Sequence, residues 1–142
     1  MAHFVLKGIG MAIVIGSETS RSAVLIADNE VPIQKLIVRV VQQLGLRALA
    51  VSDGASAIEL VAAHHSDLCC VILGIDMPVM NGIDAAHSIQ KLAPNLGIVL
   101  ISGSLSRNYN PLNTNLRLSG TLHKPFFLQK MRAVIHHAIQ GA

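Results

Sequence analysis

An open parallel α/β sheet with helices on both faces is the fold class this sequence predicts. Two observations carry that prediction. Short, continuous apolar runs recur along the chain, as expected of strands buried on both faces. Between them lie segments whose apolar residues fall on one helical stripe, joined by short turns. The 142 residues suit one domain with a real core. Right-handed crossovers then place helices on both faces of the sheet.

The elements follow in order from residue 23. The run "AVLIA" (23–27) is the first strand. A helix follows, with Ile33, Leu36, Ile37, Val40, Val41 and Leu44 on one stripe, Pro32 in its first turn and Gly45 at its end. "ALAV" (48–51) is the second strand, and "ASAIELVAAHH" the second helix, capped by Ser52 or Asp53. "LCCVIL" (68–73) is the third strand. Its adjacent Cys69 and Cys70 are read as small buried hydrophobes on opposite faces, with no CxxC redox spacing. "GIDAAHSIQKL" is a helix stopped before Pro94, and "GIVLIS" (97–102) is the fourth strand. Residues 105–120 are expected to hold a poor, mobile helix, because they are Asn-rich and carry Pro111. "TLH" (121–123) is a short fifth strand. The last helix, 126–140, has its stripe at Phe127, Met131, Val134, Ile135 and Ala138. Residues 1–22 are expected to form a mobile extension before a domain spanning 23–142. There the run "AIVIG" could add a strand or touch another chain. A poor n-region and the lack of a clean A-x-A site argue against a signal peptide.

Composition excludes several functions. Hydrophobic residues make up 51% and charged residues 13%, yet no stretch approaches a membrane span. The net charge is +3, and the eleven Lys and Arg are scattered. Aromatic platforms are also missing, so neither nucleic acid nor membrane is an expected partner. His64-His65 and His136-His137 are adjacent pairs whose side chains diverge on a helix, so they read as surface residues and not metal ligands. "GIGMAIVIG" follows no strand and is no dinucleotide fingerprint. Ser102 lacks a G-x-S-x-G setting and is given no His-Asp partner.

In such a sheet, ligands sit at the carboxyl ends of the strands. Those ends carry Asp28, Asn29 and Glu30, then Gly74 to Met80, then Ser102-Gly103, then Lys124-Pro125. Carboxylate, hydroxyl and lysine converging on one edge would suit a phosphoryl group and a hard cation. The four pieces "ADNE", "GIDMPVMNG", "ISG" and "HKPF", each at a strand end and in this order, resemble the receiver domains of two-component response regulators. The resemblance covers residues 23–140. It implies a single-domain, flavodoxin-like, doubly wound five-stranded sheet of order 2-1-3-4-5.

Applied position by position, the resemblance puts the phospho-acceptor three residues before Met77-Pro78, at Gly74, which has no side chain. The acidic pair becomes Asp28-Asn29, and the aromatic switch position becomes Thr121. Asp28, Ser102, Lys124 and the Met-Pro loop are retained. Asp76 matches a position whose backbone carbonyl helps hold the metal. Two residues of extended chain cover ~6–7 Å, too far for its side chain to replace an acid at 74. With Glu30 expected to point to solvent, Asp28 faces Lys124 at a formal sum of zero. The two could pair without metal, so Mg²⁺ at Asp28 is expected to be weak or absent, and no other cofactor is implied.

The expected function is a stand-alone, cytoplasmic receiver-type module of phosphorelay signalling, not an enzyme, acting by contact with a histidine kinase or an output protein, with homodimerisation as a further option. The face made by the fourth helix, the fifth strand and the last helix is expected to be a constitutive docking or dimer surface, with Leu116, Leu118, Leu122 and the outer side of the last helix as contacts; core filling is the rival reading, favoured for Leu122. The alternatives are a working regulator phosphorylated at a displaced acid such as Asp76, and a small phosphohydrolase or nucleotide-binding protein on the same fold.

Overall fold

The computed structural model describes residues 22–103 and 115–140. The reading of residues 1–22 as a mobile extension therefore lies almost wholly outside the described residues, as do 104–114 of the poor helix. Residues 115–118, its described end, are irregular.

Among the described residues five strands and four α-helices follow in the order β1 (Ala23–Ala27), α1 (Val31–Gln43), β2 (Arg47–Val51), α2 (Gly54–His64), β3 (Leu68–Gly74), α3 (Gly82–Leu92), β4 (Gly97–Ser102), β5 (Gly120–His123) and α4 (Leu128–Gln140). All pairs are parallel and the spatial order is β2-β1-β3-β4-β5, as the sequence predicts. The order reverses between β1 and β3, which opens a crevice at their carboxyl ends.

Alternation along the strands feeds two cores. Leu25, Leu49, Val71, Leu73, Ile98 and Leu100 pack beneath α2 and α3, against Leu60, Val61, Ala86 and Ile89. Val24, Ile26, Ile72, Val99 and Ile101 pack beneath α1 and α4, against Ile37, Val41, Met131 and Ile135. The helix termini follow local chemistry. Pro lies in the first turn of α1. The Asp53 side chain accepts from Ser56 N at 2.7 Å and starts α2. Asn81 accepts from Asp84 N at 2.9 Å and starts α3. Gly45, at φ 81°, takes the left-handed turn after α1.

Two expectations are corrected. Cys69 and Cys70 do not divide between the faces; both join the α1/α4 core. Ala23 pairs with Leu68 but Val24 pairs with Cys70, so an irregularity at the start of β3 interrupts the alternation. Burial, and then the neighbouring Cys69, raise the Cys70 thiol well above its ordinary range, which keeps it protonated and inert. Second, α4 starts at Leu128, and Phe127 is 86% exposed; Phe126 packs against the core in its place. Of the three leucines named for docking, Leu122 is buried, the fate the sequence favours for it, and Leu116 and Leu118 are partly buried against the α2/α3 core.

Candidate functional site

At the carboxyl ends of β1, β3, β4 and β5 lies a cleft of about 580 Å³. Asn29, Glu30, Asp76, Gly103 and Lys124 line its polar side, and Ile33, Leu36, Pro125 and Phe126 its apolar side. Every polar member comes from a loop that directly follows a strand, which is why residues so distant in sequence converge.

Asp28 lies buried behind the cleft lining, 1% exposed. Its Oδ1 accepts from Glu30 N at 2.8 Å, a turn that launches α1. Gln34, one turn into α1, is buried as well. Its Nε2 donates to the Asp28 carbonyl, to Val51 O at 3.0 Å and to Ser52 Oγ at 3.1 Å. It ties the ends of β1 and β2 together beneath the cleft. Sequence reasoning passed over Gln34, although a polar residue between the apolar positions Ile33 and Leu36 is a readable signal.

Lys124 reaches back across the cleft. Its Nζ lies 3.1 Å from Asp28 Oδ2 and 2.6 Å from Glu30 Oε1. Lys124 N donates to Ser102 O at 2.8 Å, which fixes the start of this loop to β4, and the Lys124–Pro125 peptide is cis. Burial pulls the ammonium pKa down, but hydrogen bonds to Glu30 and Asp28 outweigh it, and the net shift is upward from 10.5. Glu30 corrects the sequence reading. It does not simply point to solvent, and the group of Asp28, Glu30 and Lys124 sums to −1, not zero.

Gly74 ends β3, buried, where the resemblance places the acceptor. A β-carbon there would lie 2.7 Å from Asp28 Oδ2, so the Asp28 carboxylate occupies the space a side chain would need. The carbonyl of Gly74 is in turn covered by Gly82, whose own β-carbon would collide with it. Asp76 is half-buried and turned elsewhere: its Oδ2 lies 2.9 Å from where a β-carbon on Gly103 would stand, over the backbone after β4. It lines the same cleft without entering the space at Gly74. Asn29 is exposed at the rim, and Thr121 is exposed on β5.

Ser102 closes β4. Its Oγ lies 2.8 Å from His123 Nδ1 and donates weakly to Leu122 O at 3.4 Å. The sequence reading gave Ser102 no histidine neighbour. Parallel register supplies one, because Ser102 pairs with His123. Among the described residues no group of three His, Cys, Asp or Glu side chains is placed to hold a metal. With the Lys124 ammonium on both Asp28 and Glu30, the donor set fits a divalent cation poorly, and the two other expected carboxylate positions hold Gly74 and the amide Asn29.

The family model of the response regulator receiver domain matches residues 24–136. The chain is 35% identical over 112 residues to the autoinducer 1 sensor kinase/phosphatase LuxN of Vibrio campbellii, covering 79% of this chain but 13% of that protein. It is 28% identical over 108 residues to the response regulator receiver protein CpdR of Brucella abortus, covering 76% of this chain and 88% of that protein. Among solved structures, the REC domain of AraT from Geobacillus stearothermophilus superimposes with a TM-score of 0.74 at 25% identity, covering 84% of this chain and 94% of that one. A response regulator receiver domain protein from Clostridium thermocellum gives 0.75 at 22% identity, with 84% and 94% covered, a likeness of fold.

Proposed function

The chain belongs to the response regulator receiver domain family, and from that premise we propose that this receiver domain of a two-component system works without phosphorylation, by constitutive protein–protein contact. The observation that carries the reading is Gly74. The acceptor position has no side chain, and the space above it is taken by the Asp28 carboxylate. Asp76, the nearest acid along the chain, is directed toward Gly103.

The partner is a histidine kinase or an output protein, reached through the receiver shape and not through a phosphoryl signal. The domain is a binding module and not an enzyme, and its proposed location is the cytoplasm. Among the described residues no helix is long and apolar enough to cross a membrane. Thr121 in place of an aromatic switch, together with an acceptor that is absent, leaves no evident ligand with different affinity for two states. One arrangement of the β4–β5–α4 face therefore persists.

The test is intact-mass measurement after treatment with acetyl phosphate and Mg²⁺. The expected result is no added phosphoryl group. A stable adduct mapped to Asp76 or to any other acid of the cleft would overturn the reading.

A further inference from the structure

The cleft already contains a cation. Asp28 is 1% exposed, and its Oδ2 accepts no hydrogen bond. A buried carboxylate in that condition requires a compensating charge. The ammonium of Lys124 supplies it at 3.1 Å and is itself held at 2.6 Å by Glu30. We propose that Lys124 is the resident cation of this pocket, that it keeps divalent metal out, and that neutralising it converts Asp28 and Glu30 into a site for Mg²⁺ or Mn²⁺. The proposal rests on the receiver reading of the cleft and adds what occupies it.

Three features support it. The first is charge. Asp28, Glu30 and Lys124 sum to −1, which leaves little attraction for a divalent ion beside a fixed ammonium. Without the lysine charge the two carboxylates sum to −2, which matches a divalent ion. The second is ligand chemistry. Mg²⁺ retains several waters and takes one or two carboxylates, so Asp28 and Glu30 are enough without an acid at 74. The third is access. Glu30 is 56% exposed and lines the 580 Å³ cleft, so hydrated metal has a route to it, and Asp28 lies just behind, 3.1 Å from the Lys124 ammonium that also lines the cleft.

The experiment compares the wild type with Lys124→Met, which keeps most of the chain length and removes the charge. Mn²⁺ binding is followed by calorimetric titration, and melting temperature is measured with and without Mg²⁺. The wild type is expected to bind no Mn²⁺ saturably and to melt at the same temperature in both conditions. Lys124→Met is expected to bind Mn²⁺ saturably, with a Kd at least tenfold below the highest concentration at which the wild type shows no binding, and to melt higher with metal, since a ligand that binds only the folded form stabilises it. Adding Asp28→Asn to Lys124→Met should abolish the gain, which assigns the metal to this pocket. If Lys124→Met does not fold without metal, its refolding on adding Mg²⁺ is the same positive result. A folded Lys124→Met with no gain overturns the proposal, as does saturable wild-type binding that depends on Asp28. Either result leaves the functional reading intact, because that reading fails only on a phosphoryl adduct.

Discussion

Two glycines govern the cleft in different ways. A β-carbon at Gly74 would meet the end of a movable side chain, Asp28, at 2.7 Å. A β-carbon at Gly82 would meet the Gly74 carbonyl, which is backbone and cannot turn aside. Gly82→Ala should therefore destabilise the fold more than Gly74→Ala does, by roughly 1–3 kcal/mol, the usual cost of overpacking. Urea unfolding of the two variants decides it, and an equal or reversed order would show that the α3 start yields freely. For Gly74→Asp, the new carboxylate must displace that of Asp28 and sit beside a like charge. A loss of roughly 1–3 kcal/mol is expected. Coupling Gly74→Asp to Asp28→Asn should recover part of it, and a thermodynamic double-mutant cycle measures how much. Gly74, Asp28 and Lys124 were all legible in the sequence, because motif spacing fixes them. Glu30 was not, since which way an exposed side chain leans depends on where Lys124 arrives from β5.

At the level of whole elements, α4 shows where a helical stripe misleads. Phe127 falls on the same periodic stripe as Met131, yet it precedes the helix and stands 86% exposed, while Met131 is fully buried. Phe127→Ser should change the melting temperature little, whereas Met131→Ala should cost about 2–5 kcal/mol through the cavity it leaves. Comparable losses from both would mean that Phe127 is covered in the working protein. The stripe failed because the Lys124-Pro125 turn sets where α4 begins, and a periodicity argument does not know where a helix starts. The strands were read almost to the residue. Their continuous apolar runs leave few alternatives, but an irregularity of the kind found at Leu68–Cys70 has no signature in a uniformly apolar run. The Ser102–His123 pair was invisible for a related reason: it is a matter of register between two parallel strands, which no local pattern encodes.

For the molecule as a whole, the Lys124 network makes stability depend on alkaline pH. The folded-state pKa of Lys124 lies above its ordinary 10.5. Its contribution is thus complete below 10.5 and is lost as pH rises through the higher folded value. The difference in stability between wild type and Lys124→Met should be constant up to about that pH and then shrink. Denaturant melts of both proteins from neutral to strongly alkaline pH test this, and a difference that grows with pH would reverse the assigned sign. Fold class and strand order were fully readable, because alternating strands and helices with short turns admit few topologies. The state of the cleft was readable only in part: the glycine at position 74 stands in the sequence, whereas the Asp28 carboxylate that fills the space beside it does not.

That displaced carboxylate bears on how such a domain could change over generations. Placing an acid at position 74 requires one codon to change, but the resulting side chain would arrive in space that Asp28 already fills, beside the buried ion pair that Asp28 makes with Lys124. That first step would therefore be downhill in stability before any phosphoryl chemistry could reward it. A second change, at Asp28 or Lys124, would have to come early. The arrangement acts as a ratchet at this one position: the glycine leaves its neighbour's ion pair undisturbed, and an acid in its place calls for a coordinated pair of changes.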